Sequence, residues 1–339
     1  MDSKVFMQSR NLMFKATYLY HVQRYSQRAI AHELKISVST VSRLLSKAQS
    51  AGVVELRLDP LVEETVLLER ELSRCLGIRE VIVAPSKSTS PLNSRLAVAL
   101  EGARYLQNAI TDGSVLGMGF GGTIKNLVHY LNPCKKVNTN FVMLHGKLPT
   151  PVYQQDMEEA IACISNAFGG KRYMLDCDVY IPNEGAYQHV MSRFNTRQVM
   201  ALYDRVTISV SGIGALNPVT DSFLVDPACT ECPEITAFIE KRCACGDIFL
   251  NFFDENGAEC YRNDNIHMMS ISFAQYRKIA TKILVVPGVK KIEALLAALR
   301  GGLADVLIID IPLAAELLRR FHEGALTPIS QRVKDKHQS

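Results

Sequence analysis

From Arg79 onward the chain alternates short apolar segments with amphipathic ones, and this pattern limits the possible folds more than any other feature. The apolar segments are predicted strands: 80–84, 114–120, 141–145, 206–214, 247–253, 282–287 and 305–310. The predicted helices between them are 92–110, 123–131, 154–168, 290–300 and 312–322. Continuous apolar strands joined by helices are typical of a parallel sheet that is covered on both faces. We therefore expect an α/β Rossmann-like domain, which binds ligands at the carboxyl ends of its strands.

The first 58 residues have a different pattern, that of a winged helix-turn-helix. A predicted helix over 10–24 is followed by two short helices, joined by a tight turn, that Ser26 and Ser37 can cap. Gly52 can end the second of these helices. Residues 53–58 then alternate apolar and polar side chains, as expected for a strand that forms the wing. The sequence thus predicts an all-α winged helix-turn-helix at the amino terminus.

The second short helix has one apolar and one polar face. The apolar residues at helical spacing are Val38, Val41, Leu44, Leu45 and Ala48. The other face carries hydroxyl groups and cations, which suit a surface that contacts phosphates and base edges of DNA. The residues predicted to bind DNA are Gln27, Ser37, Ser39, Thr40, Ser42, Arg43 and Lys47. The alternative is an amphipathic helical hairpin that binds only protein.

The charge distribution favours the same interpretation. Residues 1–58 contain nine Lys and Arg residues against three acids, a net charge of +6. The whole chain carries only +4, so residues 59–339 sum to −2. A basic segment ahead of a near-neutral body indicates binding to nucleic acid, because neutralised phosphates release counterions. For the scattered basic residues before Arg24, a solvated basic face is the competing explanation.

Length and composition indicate a globular protein of two or three domains. The chain has 339 residues, and its 47% apolar and 21% charged residues are usual for folded proteins. It contains no uncharged apolar run of about 18 residues, and its start lacks the apolar core of a signal peptide. These features predict a cytoplasmic protein without a membrane partner. A predicted helix over 61–76 connects the domains, either as a packed linker or by pairing with its copy in a second subunit.

The nine cysteines are an odd number spread over a large chain, which favours reduced thiols. Four of them lie close together: Cys229, Cys232, Cys243 and Cys245. A tetrahedral zinc site and a redox sensor are the alternatives to incidental thiols here. The spacing of the second pair is unusual for zinc, and the intervening segment has a helical pattern. No metal or other cofactor is therefore predicted.

A glycine-rich turn follows the second predicted strand. Residues 117–122 read Gly-x-Gly-x-x-Gly, which is formally the dinucleotide fingerprint. The acid that would bind a ribose is missing, because the next strand ends in Leu-His-Gly-Lys at 144–147. Backbone N–H groups and the helix dipole at such a turn still bind anions. We therefore predict a phosphate site at Gly121, Gly122 and Thr123, with a dinucleotide site or a turn that only packs as alternatives.

Three further residues at predicted strand ends are candidates for the same crevice. Lys147 lies just past one strand, although exposed loop lysines are common. Asp247 could accept hydrogen bonds from sugar hydroxyls or merely cap its strand. Lys291 opens the helix after Gly288, where an anion could bind. His145 is a weaker candidate, and no catalytic constellation is present in the sequence.

The chain resembles the SorC family of bacterial sugar-responsive transcription regulators over residues 10–322. The segment YSQRAIAHELKISVSTVSRLLSKAQSAGVV is similar to the family's helix-turn-helix. Further matching segments are VLGMGFGGT, RVTISVSGIGAL, CGDIFLNFFDENG and VPGVKKIEALLAALRGGLADVLIID. The most specific features are GDI-x-x-x-FFD-x-x-G and a lysine ahead of an alanine-rich helix that ends in Arg-Gly-Gly.

The resemblance implies a phosphosugar-binding effector domain that is similar in fold to sugar-phosphate isomerases but not catalytic. In the family the glycine–threonine turn binds phosphate, and it corresponds to the turn at 121–123 here. The family's acid and lysine correspond to Asp247 and Lys291. Lys147 departs from the family, which commonly has Gly-Gly at positions 146–147.

The resemblance also implies how the chain is organised. Residues 1–58 would form the winged helix-turn-helix DNA-binding domain, and 59–78 the linker helix. Residues 79–325 would form the effector and oligomerisation domain, and 326–339 a polar tail. The expected partners are double-stranded operator DNA, a small phosphorylated sugar and further copies of the chain, in a dimer or tetramer.

The predicted function is therefore transcriptional regulation of a carbohydrate or nucleoside catabolic operon, without enzyme activity. One alternative is an enzyme with an appended helix-turn-helix, either a sugar-phosphate isomerase or a nicotinamide-dependent reductase. The missing general base and the missing ribose acid argue against these two activities. The other alternative is a regulator that responds to zinc or to redox state.

Overall fold

The structure, a computed structural model, describes residues 9–55, 59–88, 90–131, 134–216, 244–260 and 267–324. The chain divides into two compact units, residues 1–60 and 61–339. Within the described residues, the first unit has its own hydrophobic core, and the second has two core clusters.

Three helices make up the described part of the first unit: α1 (Arg10–His21), α2 (Gln27–Glu33) and α3 (Val38–Ser50). A serine caps each helix, because the hydroxyls of Ser9, Ser26 and Ser37 each accept a hydrogen bond from a backbone N–H group three residues on. The buried side chains form one core: Met13, Ala16, Ile30, Ala31, Ile36, Val41, Leu44 and Ala48. The predicted helical amino-terminal region is thus confirmed.

The first turn of α3 differs from the prediction in which side chains it buries. Val38 is 43% exposed, whereas Thr40 is only 4% exposed. The cause is the cap: the Ser37 hydroxyl lies 2.9 Å from that of Thr40 and also accepts the Thr40 N–H group. This turns Thr40 inward and Val38 outward, so Thr40 does not lie on the exposed polar face of the helix.

The ends of this unit also differ from the prediction. Helix α1 stops at His21 rather than at residue 24, because Arg24 has a left-handed φ of 60°. Residues 53–55 form a bend and no strand, and none of the described strands pairs with them. Residues 56–58 lie outside the described residues. The predicted wing is therefore not part of the described structure.

The second unit opens with α4 (Pro60–Leu76), which starts at the unit boundary and buries Leu72 and Leu76 in the α/β core. Its strands are β1 (Glu80–Ala84), β2 (Val115–Met118), β3 (Asn140–Met143), β4 (Lys171–Tyr173), β5 (Tyr180–Ile181), β6 (Ile208–Ser211), β7 (Gly214–Ala215), β8 (Gly246–Ile248), β9 (Asn251–Phe253), β10 (His267–Met268), β11 (Thr281–Val286) and β12 (Val306–Asp310). Its other helices are α5 (Pro91–Ala109), α6 (Gly122–His129), α7 (Pro151–Phe168), α8 (Glu184–Ser192), α9 (Phe194–Tyr203), α10 (Phe273–Lys278), α11 (Ile292–Arg300) and α12 (Ile311–His322). A 3-10 turn over Val289–Lys291 leads into α11.

Seven of these strands form one parallel sheet in the order β1-β12-β11-β6-β2-β3-β4. From β2 the chain continues to one side, through β3 and β4. From β6 it continues to the other side, through β11 and β12. Two neighbouring strands that lead in opposite directions leave a crevice at their carboxyl ends, and here that crevice lies between β2 and β6. The predicted parallel-sheet α/β domain is confirmed.

The central strands are buried on both faces, as their apolar sequences predict. Leu284 and Val286 of β11 belong to one core cluster, and Ile283 and Val285 belong to the other. Alternation of side chains along a strand sends neighbours to opposite faces. Helices therefore cover this sheet on both sides.

Residues 247–253, predicted as one strand, form a hairpin of β8 and β9. Phe249 and Leu250 connect the two strands with φ angles of 52° and 63°. A two-residue turn with both residues in the left-handed region reverses the chain, and it usually contains glycine or asparagine. The apolar residues at this turn therefore concealed it in the sequence. The predicted strand 206–214 is likewise divided, because β7 leaves the main sheet and pairs with β8.

Other elements carried no clear sequence pattern. Helices α8, α9 and α10 and strands β4, β5 and β10 were not predicted, and the last two strands have two residues each. Such short strands cannot show a period. None of the described helices has the length and hydropathy needed to span a membrane.

Two glycines that are far apart in sequence meet in this unit. Gly257 follows β9 with a φ of 70°, and Gly301 ends α11. A Cβ atom on Gly257 would lie 2.3 Å from the Ala297 carbonyl oxygen and 2.5 Å from the Cα atom of Gly301. Arg277 donates hydrogen bonds to both glycine carbonyls, at 3.2 and 3.0 Å. This backbone contact holds the hairpin against α11.

We expect Gly257→Ala to lower the free energy of unfolding by about 3 kcal/mol or more, because the methyl group adds a backbone clash to a left-handed conformation. Gly302→Ala is the matched control. Gly302 has a φ of 66°, and no described atom lies within 4 Å of its Cβ position. That variant should lose only the backbone cost of about 1–2 kcal/mol. Chemical denaturation of both variants measures the difference, and equal losses would contradict the role given to the contact.

Candidate functional site

The predicted phosphate turn lies at the carboxyl end of β2, at the mouth of the crevice. Helix α6 begins at Gly122, so its first N–H groups face the end of the sheet. Gly121 has a φ of 152°, and no described atom lies within 4 Å of the position that its Cβ would take. Thr123 is buried in the first turn of α6. This combination of free helix N–H groups and open space suits an anion.

The other glycines of this turn have side chains of other segments packed closely against them. A Cβ on Gly117 would lie 2.5 Å from Leu144 Cδ1, and a Cβ on Gly119 would lie 3.0 Å from Phe249 Cε1. A Cβ on Gly122 would lie 2.9 Å from Nη1 of Arg95, a residue of α5. Side chains from three different elements thus pack directly onto the turn.

Strand β6 forms the other wall of the crevice. The N–H group of Gly119 donates to the Val210 carbonyl at 3.0 Å, which ties the glycine turn to this strand. Ser211, the last residue of β6, has its Cβ 3.4 Å from the position of a Gly119 Cβ. It is 4% exposed, and its hydroxyl has no hydrogen-bond partner among the described residues. The sequence did not single out Ser211, because it occurs within an otherwise apolar strand pattern.

Lys291 contacts this wall from the segment that follows β11, the strand next to β6 in the sheet. It follows the turn at Gly288, whose φ of 85° lets the chain reverse after β11. Although it is a lysine, it is only 8% exposed. Its Nζ donates to the Ile213 carbonyl at 2.9 Å, in the connection between β6 and β7. The predicted candidate is thus a buried cation next to the crevice.

Asp247 lies beside the same connection. It is the central residue of β8 and pairs with Gly214 of β7, the residue after Ile213. One carboxylate oxygen, Oδ2, accepts the Leu250 N–H group at 3.3 Å and so supports the hairpin turn. The other, Oδ1, is buried and has no hydrogen-bond partner among the described residues. A buried acceptor without a donor is costly, so this atom is suited to a hydroxyl group of a ligand.

The protonation of Asp247 reflects this environment. Burial raises the pKa of its carboxyl group to about 6, because the charged form is poorly solvated. The hydrogen bond from Leu250 and the positive charge of Lys291 lower the pKa, but only in part. A ligand that donates hydrogen bonds to Oδ1 would lower it further.

The positions of Lys147 and His145 are less suited to contact with a ligand in the crevice. Lys147 continues β3 and forms a bridge with Asp178, and none of the described hydrogen bonds or ion pairs joins it to Asp247 or Lys291. His145 is buried, and its Nδ1 donates to the Gly146 carbonyl at 2.9 Å. Burial lowers the pKa of His145 to about 4, so it is neutral at pH 7. Its environment is that of a structural histidine.

A carboxylate that the sequence did not indicate holds this edge together. Asp310 ends β12 and is 1% exposed. It accepts hydrogen bonds from the N–H groups of Leu313, at 3.0 Å, and Gly288, at 2.9 Å. It also accepts the hydroxyl of Ser94 in the first turn of α5. Asp310 thereby connects the start of α12, the turn ahead of Lys291 and the helix that carries Arg95.

The cysteine cluster lies mostly outside the described residues. Only Cys245 is described, immediately before β8, and Cys229, Cys232 and Cys243 are not. Burial raises the pKa of the Cys245 thiol, which favours its protonated form. The described part of the chain contains no group of His, Cys, Asp and Glu residues that could hold a metal ion.

Comparison with known proteins identifies the family of the second unit. The family model described as "Putative sugar-binding domain" matches residues 61–319. The deoxyribonucleoside regulator of Bacillus subtilis (strain 168) is 27% identical over 303 residues, covering 89% of this chain and 96% of the relative. The sorbitol operon regulator of Klebsiella pneumoniae is 24% identical over 322 residues, covering 91% and 98%.

Solved structures agree in fold. The crystal structure of the full-length sorbitol operon regulator SorC from Klebsiella pneumoniae matches with a TM-score of 0.70 and 22% identity, covering 94% of this chain and 100% of that one. A DeoR family transcriptional regulator from Listeria monocytogenes matches with a TM-score of 0.65, covering 75% and 99%. The predicted resemblance is confirmed: the chain belongs to the sugar-binding domain family of SorC-type transcriptional regulators.

Proposed function

We propose that the chain is a DNA-binding transcriptional regulator of a carbohydrate or nucleoside catabolic operon, controlled by a phosphorylated sugar. The observation that carries this proposal is the arrangement around the β2–β6 crevice. An anion-binding helix start, a buried carboxylate with an unsatisfied oxygen and a buried ammonium group border the same two strands. The names of the relatives, which include sorbitol and deoxyribonucleoside regulators, agree with it.

Each part of such a ligand has a complementary group. The turn at Gly121, Gly122 and Thr123 binds the phosphate through N–H groups of α6. Asp247 accepts hydrogen bonds from sugar hydroxyls, and Lys291 stabilises the anion from the opposite wall. Lys147 stays a proposed contact at the outer end of the crevice. The site binds and releases its ligand without chemistry.

The amino-terminal unit supplies the DNA-binding surface. Ser39, Ser42, Arg43 and Lys47 are exposed on α3, the second helix of the helix-turn-helix. In our proposal this helix lies in the major groove, where Arg43 reaches base edges and Lys47 contacts phosphate. The remaining predicted contacts are Gln27, Ser37 and Thr40, of which Thr40 is buried and therefore excluded as a base contact.

The proposed organisation follows the predicted domains. Residues 1–58 bind DNA, 59–78 connect the domains, and 79–325 bind the effector and form a homo-oligomer in the cytoplasm. Helix α4 carries the exposed apolar residues Val62, Val66 and Leu67, which suit contact with a second copy. In this proposal the oligomer has two arrangements, one of which binds DNA more tightly. The ligand changes the affinity for DNA only if the two arrangements also differ in affinity for the ligand. DNA then changes the affinity for the ligand by the same factor.

The test is binding to DNA from the protein's own upstream region, at fixed salt, with a panel of free and phosphorylated pentoses and hexoses. A shift in DNA affinity with a phosphorylated sugar, and none with its free form, supports the proposal. Absence of DNA binding at low salt would overturn it. The same panel in a turnover assay tests the enzyme alternative.

We expect Arg43→Ala to reduce the preference for operator over unrelated DNA by roughly 10- to 100-fold, because a base contact by arginine discriminates by about 1–3 kcal/mol. Binding of the sugar phosphate should not change. Arg10→Ala on α1 removes the same charge and should lower affinity for both DNAs alike. Fluorescence anisotropy with the two DNAs measures the ratio, and an unchanged ratio in Arg43→Ala would remove Arg43 from the recognition surface.

We expect Lys291→Ala to lose the response to the sugar phosphate while keeping DNA binding. Lys290→Ala is the matched control, since Lys290 is the adjacent lysine but is exposed. Thermal unfolding checks that the loss of the Ile213 hydrogen bond leaves the variant folded. Loss of response in both variants would mean that the positive charge of this segment matters and not the buried position of Lys291.

We expect ligand binding near pH 5.5 to release a proton from Asp247. Its pKa is about 6 in the free protein, and hydrogen bonds from the ligand would lower it. Affinity should therefore rise as pH increases toward 6 and then become constant. Calorimetry in buffers of different ionisation enthalpy counts the protons. Because the phosphate also titrates near pH 6, the decisive quantity is the difference between wild type and Asp247→Asn, and no difference would contradict the proposed contact.

A further inference from the structure

We infer that Arg95 is a phosphate-binding residue of the effector site and makes that site selective for phosphorylated ligands. The inference rests on the proposed function and adds a residue that neither the sequence pattern nor the family resemblance indicated. Arg95 is the fifth residue of α5, which packs beside α6. Leu127 of α6 approaches within 2.6 Å of the Cβ position of Gly102 in α5.

The guanidinium group of Arg95 lies directly against the start of α6. Its Nη1, Cζ and Nε atoms are 2.9, 3.3 and 3.6 Å from the position that a Cβ on Gly122 would occupy. These are the three nearest atoms to that position. Gly122 is exposed, and Arg95 is half-buried.

This placement brings two groups that favour an anion next to each other, the start of α6 and a guanidinium group. The amino-terminal end of a helix carries a partial positive charge and favours negative groups. The Arg95 guanidinium lies at that same end, so both groups face the position of Gly122. A phosphate dianion beside Gly121 would satisfy the helix N–H groups and the guanidinium together, with the two parallel hydrogen bonds that arginine gives to phosphate.

Independent observations on the other wall indicate that a polar ligand occupies this crevice. The hydroxyl of Ser211 and Oδ1 of Asp247 are buried and have no hydrogen-bond partner among the described residues. Ser211 lies against Gly119, at the beginning of the turn whose far end meets Arg95. Buried polar atoms in native proteins are nearly always hydrogen-bonded, so both atoms are suited to groups of a ligand.

The start of the helix that carries Arg95 is anchored by the residue before it. Ser94 donates its hydroxyl to Asp310, and Asp310 also accepts the N–H group of Gly288. The start of α5 is thus tied to the turn that precedes Lys291. Asp310 thus joins the two segments that carry Arg95 and Lys291, and the two positive charges match a phosphate dianion.

The experiment measures the affinity of the full chain for the panel member that binds the wild type most tightly, and for inorganic phosphate as a competitor. Arg95→Ala should weaken binding of the sugar phosphate roughly 10- to 100-fold, the effect of losing hydrogen bonds to a charged group. Inorganic phosphate should no longer compete. Arg95→Lys keeps the charge without the paired geometry and should give an intermediate loss.

Arg104→Ala is the matched control, because Arg104 lies on the same helix and its Nε pairs with Glu101 at 2.6 Å on the surface. It should bind like the wild type. Equal affinity of Arg95→Ala and wild type, or equal losses in Arg95→Ala and Arg104→Ala, would overturn the inference.

Two further outcomes separate this inference from the function on which it rests. If Arg95→Ala does not fold, Arg95→Gln and Arg95→Lys decide by the same affinities. If no phosphorylated sugar binds the wild type, the proposed function fails and the role of Arg95 fails with it. If a sugar phosphate binds wild type and Arg95→Ala equally, only the role of Arg95 is lost.

Discussion

The buried carboxylate of Asp310 is the interaction on which the ligand-binding edge depends. It is almost completely inaccessible, and it accepts hydrogen bonds from the start of its own helix and from two elements that are remote in sequence, at Ser94 and Gly288. A buried charge is stable only when such donors surround it, so the three elements cannot shift independently without leaving it unsatisfied. The turn before Lys291 and the start of α5 are therefore held at one distance from the sheet. This shared anchor gives the proposed site the preorganisation that recognition of a small anion requires.

At this site the protein leaves polar groups that its own described residues do not satisfy. One carboxylate oxygen of Asp247 accepts a hydrogen bond from Leu250. The other oxygen and the hydroxyl of Ser211 have no hydrogen-bond partner among the described residues. Such groups lower the stability of the free protein, and a ligand that pairs with them recovers this free energy on binding. Stability and ligand affinity are thus linked at the same atoms. A regulator needs this kind of link, because only a ligand that distinguishes two states can shift their populations.

Where periodicity was strong, the sequence predicted the structure well. The apolar runs became the central strands, and serine caps marked the starts of α2 and α3. Failures occurred where a local preference was overridden. Phe249 and Leu250 look like strand residues, yet burial of the Phe249 ring stabilises a turn that usually needs glycine. Ser211 is concealed in an apolar strand, and Arg95 looks like any surface arginine of an amphipathic helix. Their roles depend on contacts with Gly119 and Gly122 that only the folded chain brings about.

The glycine turn also shows that one sequence motif can be explained by different packing requirements. In the Gly-x-Gly-x-x-Gly string, Gly117 makes room for Leu144, Gly119 for an aromatic ring, and Gly122 for a guanidinium group. Beside each of these glycines lies a side chain of the protein itself. In a dinucleotide enzyme, by contrast, the second glycine allows the cofactor to approach the backbone closely. The text of the motif alone does not distinguish these two arrangements. The two kinds of protein differ in the group that lies beside each glycine, and only the folded structure shows which group that is.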